Sequence, residues 1–209
     1  MNYSTNRLFF VCKNSWKGVM DMAGHRFNPD KADRLLDPKR RELVAPEQVI
    51  KELKVNQENV IADLGAGNGF FTIPLARATI QRVYAVDIEE KMLNLLKENA
   101  TSENIDNIQY ILSDLENISL NNEVVDKVLV AFVVHEIPNL KKALSEFKRI
   151  LKQNGTLLIL EWEAIEMEMG PPLHERIPSE RMKEILKENN LSPSIIHFSE
   201  AVYGAIINI

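Results

Sequence analysis

The sequence predicts an α/β fold, a doubly wound and mostly parallel sheet with helices on both faces, and three observations carry that prediction. The stretch VIADLGAGNGFF at 60–71 reads as a short buried strand, a glycine turn and the start of a helix. A second apolar strand, VYAVD at 83–87, follows after one helix and ends in an acid about twenty residues beyond the turn. From there to residue 162, apolar runs of strand length alternate with segments of helical period, and parallel neighbours need crossovers of that kind.

Taken in order, residues 1–24 show no clear period and read as a flexible or packed extension. A short helix is expected from Asn28-Pro29, with Asn as cap and Pro in the first turn. Pro38 and Pro46 then start two further helical pieces, PKRREL and PEQVIKEL. An amino-terminal helical segment of this kind can lie over the ligand cleft of a doubly wound sheet. The chain is therefore divided into an extension and helical lid over 1–45 and a core domain over 46–209.

Within the core, the first strand ends at Asp63 and the first helix covers 73–78. A second helix is expected over 89–100 and a third strand over 108–112, leading into Ser113-Asp114-Leu115. The run at 124–134 is apolar except for Asp126 and Lys127, as suits a strand buried on both faces. Pro138 closes it. Leu140, Ala143, Leu144, Phe147 and Leu151 keep a helical period, after which Asn154-Gly155 turns the chain into a fifth strand over 156–162. A charged loop over 163–178 contains Gly170-Pro171-Pro172, and Ser179 caps a helix running to about residue 190. The last two strands, 195–198 and 203–207, are separated by so few residues that they must pair antiparallel.

Composition sets outer limits. The 209 residues fit one domain, and 45% hydrophobic with 26% charged residues is the mix of a soluble globular chain. A net charge of −5 offers no basic face for nucleic acid, so no nucleic-acid partner and no membrane partner are expected. Cys12 stands alone and cannot form an internal disulfide, and Leu8 to Cys12 is too short an apolar run for a secretory signal, which points to a cytoplasmic location. Four scattered histidines and one cysteine show no metal-ligand spacing, so no metal is expected.

The glycine turn can be matched to a ligand by spacing. Glycine accepts positive φ and lets a ligand approach the bare backbone. The dinucleotide fingerprint needs a small residue three places after its second glycine, where Phe70 stands, and the third glycine, Gly69, comes one place early. No GxxxxGK[ST] phosphate loop is present either. Asp87, closing the second strand, is placed to accept hydrogen bonds from ribose hydroxyls. An adenosyl ligand without phosphate fits best.

DLGAGNG, AVDIEEKML, SDLENI, DKVLVAFVVHEI and FKRILKQNGTLLILEW, in that order and spacing, resemble the class I S-adenosylmethionine-dependent methyltransferases. In detail they are similar to the small-molecule branch that includes the ubiquinone and menaquinone biosynthesis enzymes. HRFNP, LLDPKRRE and EWE…GPP…ER resemble a group of small prokaryotic methyltransferases. The resemblance implies a Rossmann-like, seven-stranded sheet closed by an antiparallel C-terminal strand. It also implies S-adenosylmethionine as cofactor, S-adenosylhomocysteine as product and a small-molecule acceptor. The arsenic methyltransferases share this core but rely on several cysteines, which this chain lacks.

Residue roles follow from both lines of reasoning. Asp63, Gly65, Ala66, Gly67 and Gly69 belong to the cofactor turn, Asp87 to the ribose, and Ile88 to the adenine face. By resemblance, Asp114 accepts from the adenine amino group and the Leu115 N–H reaches a ring nitrogen; Asp63 either contacts the methionine moiety through water or braces the turn, two compatible roles. Phe132, near the carboxyl end of the fourth strand, is a further candidate for cofactor binding, and His135 and Glu136 at the end of that strand stand as candidate bases. Glu161 faces the site from the fifth strand, whereas Glu163, Glu166 and Glu168 read as a solvated run. His25, Arg26, Arg41 and Arg176 are the candidate holders of an anionic acceptor, since arginine matches carboxylates in a bidentate way. Lys39 and Arg40 read instead as a solvated helix face. Three functions remain open: methyl transfer, cofactor binding without chemistry, and nicotinamide-dependent oxidoreduction. The protein is expected as a monomer or homodimer.

Overall fold

The computed structural model describes Asn28, Ala32, Leu35 and residues 37–209. Seven strands form one sheet: β1 (Ile61–Leu64), β2 (Val83–Asp87), β3 (Ile108–Leu112), β4 (Val125–Ala131), β5 (Leu151–Trp162), β6 (Ser194–His197) and β7 (Val202–Asn208). Their order is β3-β2-β1-β4-β5-β7-β6. Pairing is parallel from β3 through β5, while β7 runs antiparallel to both β5 and β6. Successive strands step outward from β1 in one direction to β3 and in the other from β4 to β5. The reversal between β1 and β4 is where ligands of open α/β sheets bind.

Among the described residues, six α-helices accompany the sheet: α1 (Pro38–Leu43), α2 (Pro46–Glu52), α3 (Thr72–Ala78), α4 (Glu90–Ser102), α5 (Leu140–Ile150) and α6 (Ser179–Glu188). Pro sits in the first turn of α1 and α2, where its missing N–H leaves no bond unmade. The Asp37 side chain accepts from the Lys39 N–H and the Asn139 side chain from the Lys142 N–H, so α1 and α5 begin on side-chain caps. α5 and α6 press Phe147, Ile150, Met182 and Leu186 against one sheet face together with Val128, Leu157 and Tyr203. Against the other, α2 and α3 pack Val49, Leu53 and Leu75 with Ile61, Leu129 and Leu158. α4 adds Leu93, Leu96 and Ala100 beside Ala85. Each such fully buried side chain contributes about 1.5–3 kcal/mol.

Three boundaries differ from the sequence reading, each for a local reason. β4 ends at Ala131 and not at 134, because Phe132 takes φ +59 and the chain turns into a short 3-10 segment over Val134–Glu136. β5 begins at Leu151 and not at 156; Leu151 pairs with Val125, and a register shift before Lys127 absorbs the Asn154-Gly155 turn within the strand. α6 is not capped by Ser179: Pro178 holds the cap position, and the Glu163 carboxylate accepts the Ser179 N–H. The helix expected from Asn28 falls mostly outside the described residues. Among the described residues no helix is long and apolar enough to cross a membrane.

Candidate active site

A cavity of about 980 Å³ opens at the carboxyl ends of β1, β2 and β4. Its walls bring together α1, the glycine turn, the residues after β2, β3 and β4, and the loop after β5. Asp63, Gly65, Ala66, Gly67, Asp87, Ile88, Asp114, Leu115, Phe132, His135 and Glu136, all anticipated from the sequence, line it. Trp162, Met167 and Met169 add an apolar wall from the far side.

The glycine turn is built as its sequence requires. Gly65, Gly67 and Gly69 have φ of +77, +53 and +101, a region that side-chain-bearing residues seldom adopt. Their reasons differ. A Cβ on Gly65 would meet Val133 at 2.9 Å, and one on Gly67 would stand 3.2 Å from Leu35 across the cavity wall. A Cβ on Gly69 would meet Leu96 at 2.2 Å. Gly69, assigned to the cofactor from sequence, is therefore a packing glycine that lets α4 approach, and it does not line the cavity.

Two buried acids brace the turn. Asp87 accepts the Gly67 N–H at 2.8 Å on one oxygen and the Glu89 N–H at 2.9 Å on the other, tying the end of β2 to the glycine turn and to the start of α4. Burial raises its pKa against the pull of these backbone bonds. Asp63 accepts the Thr72 hydroxyl at 2.6 Å. Burial above all, and the Asp87 charge, push its pKa up to about 7, while the Thr72 bond and Arg40 hold it down. Asp114 is exposed, and one of its oxygens accepts the Glu116 N–H at 2.8 Å, an Asx turn that coexists with its place on the wall.

Asn68, which the sequence reading passed over, completes this wall. Its amide donates to the Ala32 carbonyl at 2.8 Å, but the side-chain oxygen is buried with no partner. An unfilled acceptor, a bare glycine backbone and a strand-end carboxylate on one wall fit an adenosyl ligand bearing amino and hydroxyl donors.

On the opposite side, His135 and Glu161 form a buried pair. Nδ1 lies 2.9 and 3.0 Å from the two Glu161 oxygens, so it carries the proton and donates it. The backbone N–H groups of His135 and Trp162 also donate to Glu161, at 3.3 and 3.2 Å. Glu161 is fully buried and does not reach the cavity wall; it acts on the site through the imidazole. Nε2 stands 3.7 Å from Glu136. Burial alone would lower the His135 pKa, but the charge and hydrogen bond of Glu161, with Glu136 and Glu175, outweigh it and leave the pKa above the ordinary value.

The basic residues are redistributed relative to the sequence reading. Arg41, expected at the acceptor, points outward and pairs with Glu47 on the surface. Arg176 is buried but lies off the cavity, donating to the carbonyls of Pro171, Ile165 and Met169 at 2.9, 2.6 and 2.9 Å. Those bonds hold the loop after β5 and leave it no part in the cavity. Arg40, read as solvated, is instead 8% exposed and lines the cavity, its guanidinium 4.8 and 4.9 Å from the ring centroids of Phe70 and Phe132. Phe132 in turn lies 4.7 Å from Trp162. The helical pattern PKRREL could not show which of three successive cations turns inward. His25 and Arg26 lie outside the described residues. Among the described residues no group of three His, Cys, Asp or Glu could hold a metal ion.

Residues 62–159 match the family described as a methyltransferase domain. The chain is 32% identical over 110 residues to the ubiquinone/menaquinone biosynthesis C-methyltransferase UbiE of Hydrogenovibrio crunogenus, covering 51% of this chain and 43% of that protein. It is 29% identical over 117 residues to the protein of the same name from Rickettsia prowazekii, covering 53% and 47%. The matches thus span less than half the length of these curated relatives. A solved structure described as a SAM-dependent methyltransferase from Aquifex aeolicus superposes with a TM-score of 0.83 at 30% identity, over 88% of this chain and 100% of that one.

Proposed function

This chain belongs to the S-adenosylmethionine-dependent methyltransferases, and on that premise we propose that it moves the methyl group of S-adenosylmethionine to a small-molecule acceptor, releasing S-adenosylhomocysteine. The observation that carries the reading is one cavity shared by two sets of groups. The glycine turn with Asp63, Asn68, Asp87, Asp114 and Leu115 stands on one side, and the His135 imidazole oriented by Glu161 on the other.

In this reading Asp87 holds the ribose hydroxyls, Ile88 and Leu115 flank the adenine, Asp114 takes its amino group, and Asp63 and Asn68 serve the methionine end. Bound S-adenosylmethionine supplies a methyl group activated by its sulfonium. The protein's main contribution is alignment of donor and acceptor, which can reach effective molarities on the order of 10⁵ M or more. His135 removes a proton from the acceptor at Nε2, because Nδ1–H is committed to Glu161. The curated relatives are named for C-methylation in quinone biosynthesis. An acceptor whose carbon or oxygen becomes nucleophilic on losing a hydroxyl proton is consistent with that name and with this base.

α1, which walls the cavity, acts as its cover, and 46–209 form the cofactor-binding domain. The net charge of −5 supports an acceptor other than nucleic acid, and the single cysteine suits a cytoplasmic location.

Calorimetric titration with S-adenosylmethionine, S-adenosylhomocysteine and NADH tests the reading, with Asp87→Ala alongside. Micromolar binding of both adenosyl ligands, weakened by roughly 1–3 kcal/mol in the variant, supports it. Saturable NADH binding with silence toward both adenosyl ligands overturns it.

A further inference from the structure

Among the described residues, Arg40 is a buried guanidinium without a carboxylate within ion-pair distance. Its polar contact among the described residues is the Leu35 carbonyl at 3.5 Å, the outer limit of a hydrogen bond, and its Nε is buried with none. Burial holds its pKa down at about 10, against the pull of the Asp63 charge, which acts at longer range than an ion-pair contact. Burying a charge without close partners is expensive unless something that binds there compensates it.

The way Arg40 is held shows what could bind. Phe70 and Phe132 lie against the guanidinium at 4.8 and 4.9 Å, with Phe71 at 5.8 Å. Rings at these distances attract the cation without offering its N–H groups a strong acceptor, and a guanidinium can form two parallel bonds to a planar anion. The rest of the cavity argues for the same place. Its other charged walls include Glu42, Glu89 and Glu168, which repel an anion. Lys39 also lines the cavity, but it is exposed and solvated.

We propose that Arg40 is the carboxylate-binding residue of this cavity, held beside Phe70, Phe71 and Phe132 so that its N–H groups take the anion. The carboxylate has two sources, the aminoacyl end of the cofactor or an acidic acceptor. The first of these rests on the methyltransferase reading; the second does not require it.

Three probes separate the sources: S-adenosylhomocysteine, 5′-methylthioadenosine, which has the adenosyl sulfur but no carboxylate, and benzoate, a flat carboxylate alone. Each is titrated calorimetrically into wild type, Arg40→Met, which keeps an apolar body beside the rings, and Arg40→Lys, which keeps the charge but not the fork. A loss of about 10- to 100-fold for S-adenosylhomocysteine in Arg40→Met, with methylthioadenosine unchanged, supports the proposal and assigns the carboxylate to the cofactor. Arg40→Lys then falls in between. Unchanged adenosyl affinities with loss of benzoate binding support it and assign the carboxylate to the acceptor. Equal losses for S-adenosylhomocysteine and methylthioadenosine, or no change for S-adenosylhomocysteine and benzoate alike, overturn it. Failure of wild type to bind any adenosyl ligand strikes the methyltransferase reading alone. Benzoate then decides Arg40: binding that Arg40→Met loses supports the site, and its absence or persistence overturns it.

Discussion

Asp63→Asn should make the protein less sensitive to alkaline pH while weakening its hold on the cofactor. Asp63 is 1% exposed, bonded to Thr72, and has a pKa of about 7 in place of the ordinary 3.8. A carboxyl whose pKa is raised by folding binds its proton more tightly in the native state, so stability is greatest at low pH and falls as pH rises from 3.8 to about 7. Below the lower value both states are protonated, and above the upper one both are ionised. At about 1.36 kcal/mol per pH unit, the two units between pH 5 and pH 7 remove on the order of 2 kcal/mol from wild type. The asparagine variant has no proton to lose and should be spared that fall. Urea denaturation of both proteins, without ligand, at pH 5, 6, 7 and 8 gives the comparison. The stability gap should move in favour of the variant by on the order of 2 kcal/mol across the series, most of it below pH 7. Parallel pH profiles for the two proteins would refute a buried, proton-holding Asp63.

Two further outcomes test the opposite ends of the cavity. Gly67→Val should abolish binding of S-adenosylhomocysteine, since φ +53 strains any β-branched residue and its side chain would enter the cavity beside Leu35; retained affinity in calorimetry would remove the glycine turn from the site. His135→Ala should slow methyl transfer on the order of 100-fold with cofactor affinity intact, because its loss removes a base and not a cofactor contact. In wild type kcat/KM should rise with pH through a pKa above the ordinary histidine value. Glu161→Gln should move that limb to lower pH, since the carboxylate is what raises it. An unshifted limb would mean that another group titrates.

The parallel core was legible because its signals are local and redundant. A glycine turn between a buried strand and a helix, an acid ending the next strand and a Pro in the first turn of α1 and α2 each follow from backbone chemistry that few other residues satisfy. Asp87 illustrates this: the spacing placed it at the turn, and the structure shows it accepting the Gly67 N–H. Side-chain direction was not legible. In PKRREL, Arg40 and Arg41 are adjacent cations of equal propensity; which one enters the cavity depends on how α1 sits over Phe70 and Phe132, a tertiary fact. Arg176 failed for a related reason, since backbone carbonyls that attract a guanidinium leave no trace in composition. The end of β4 was hidden by the apolar run through Val134, in which only the unusual φ of Phe132 marks the break.

The bonds around Arg176 have a bearing on how such a protein diversifies. The loop after β5 is tethered to one guanidinium through the main-chain oxygens of Ile165, Met169 and Pro171. Carbonyl oxygens are common to every amino acid, so the path of the loop is insulated from much of its own sequence. Met167, Met169, Pro171 and Pro172, which line the cavity, can therefore be exchanged in a descendant without unthreading the chain that carries them. A gene duplicate could drift toward a new acceptor by small steps at these positions, each one leaving the cofactor half and the fold as they were.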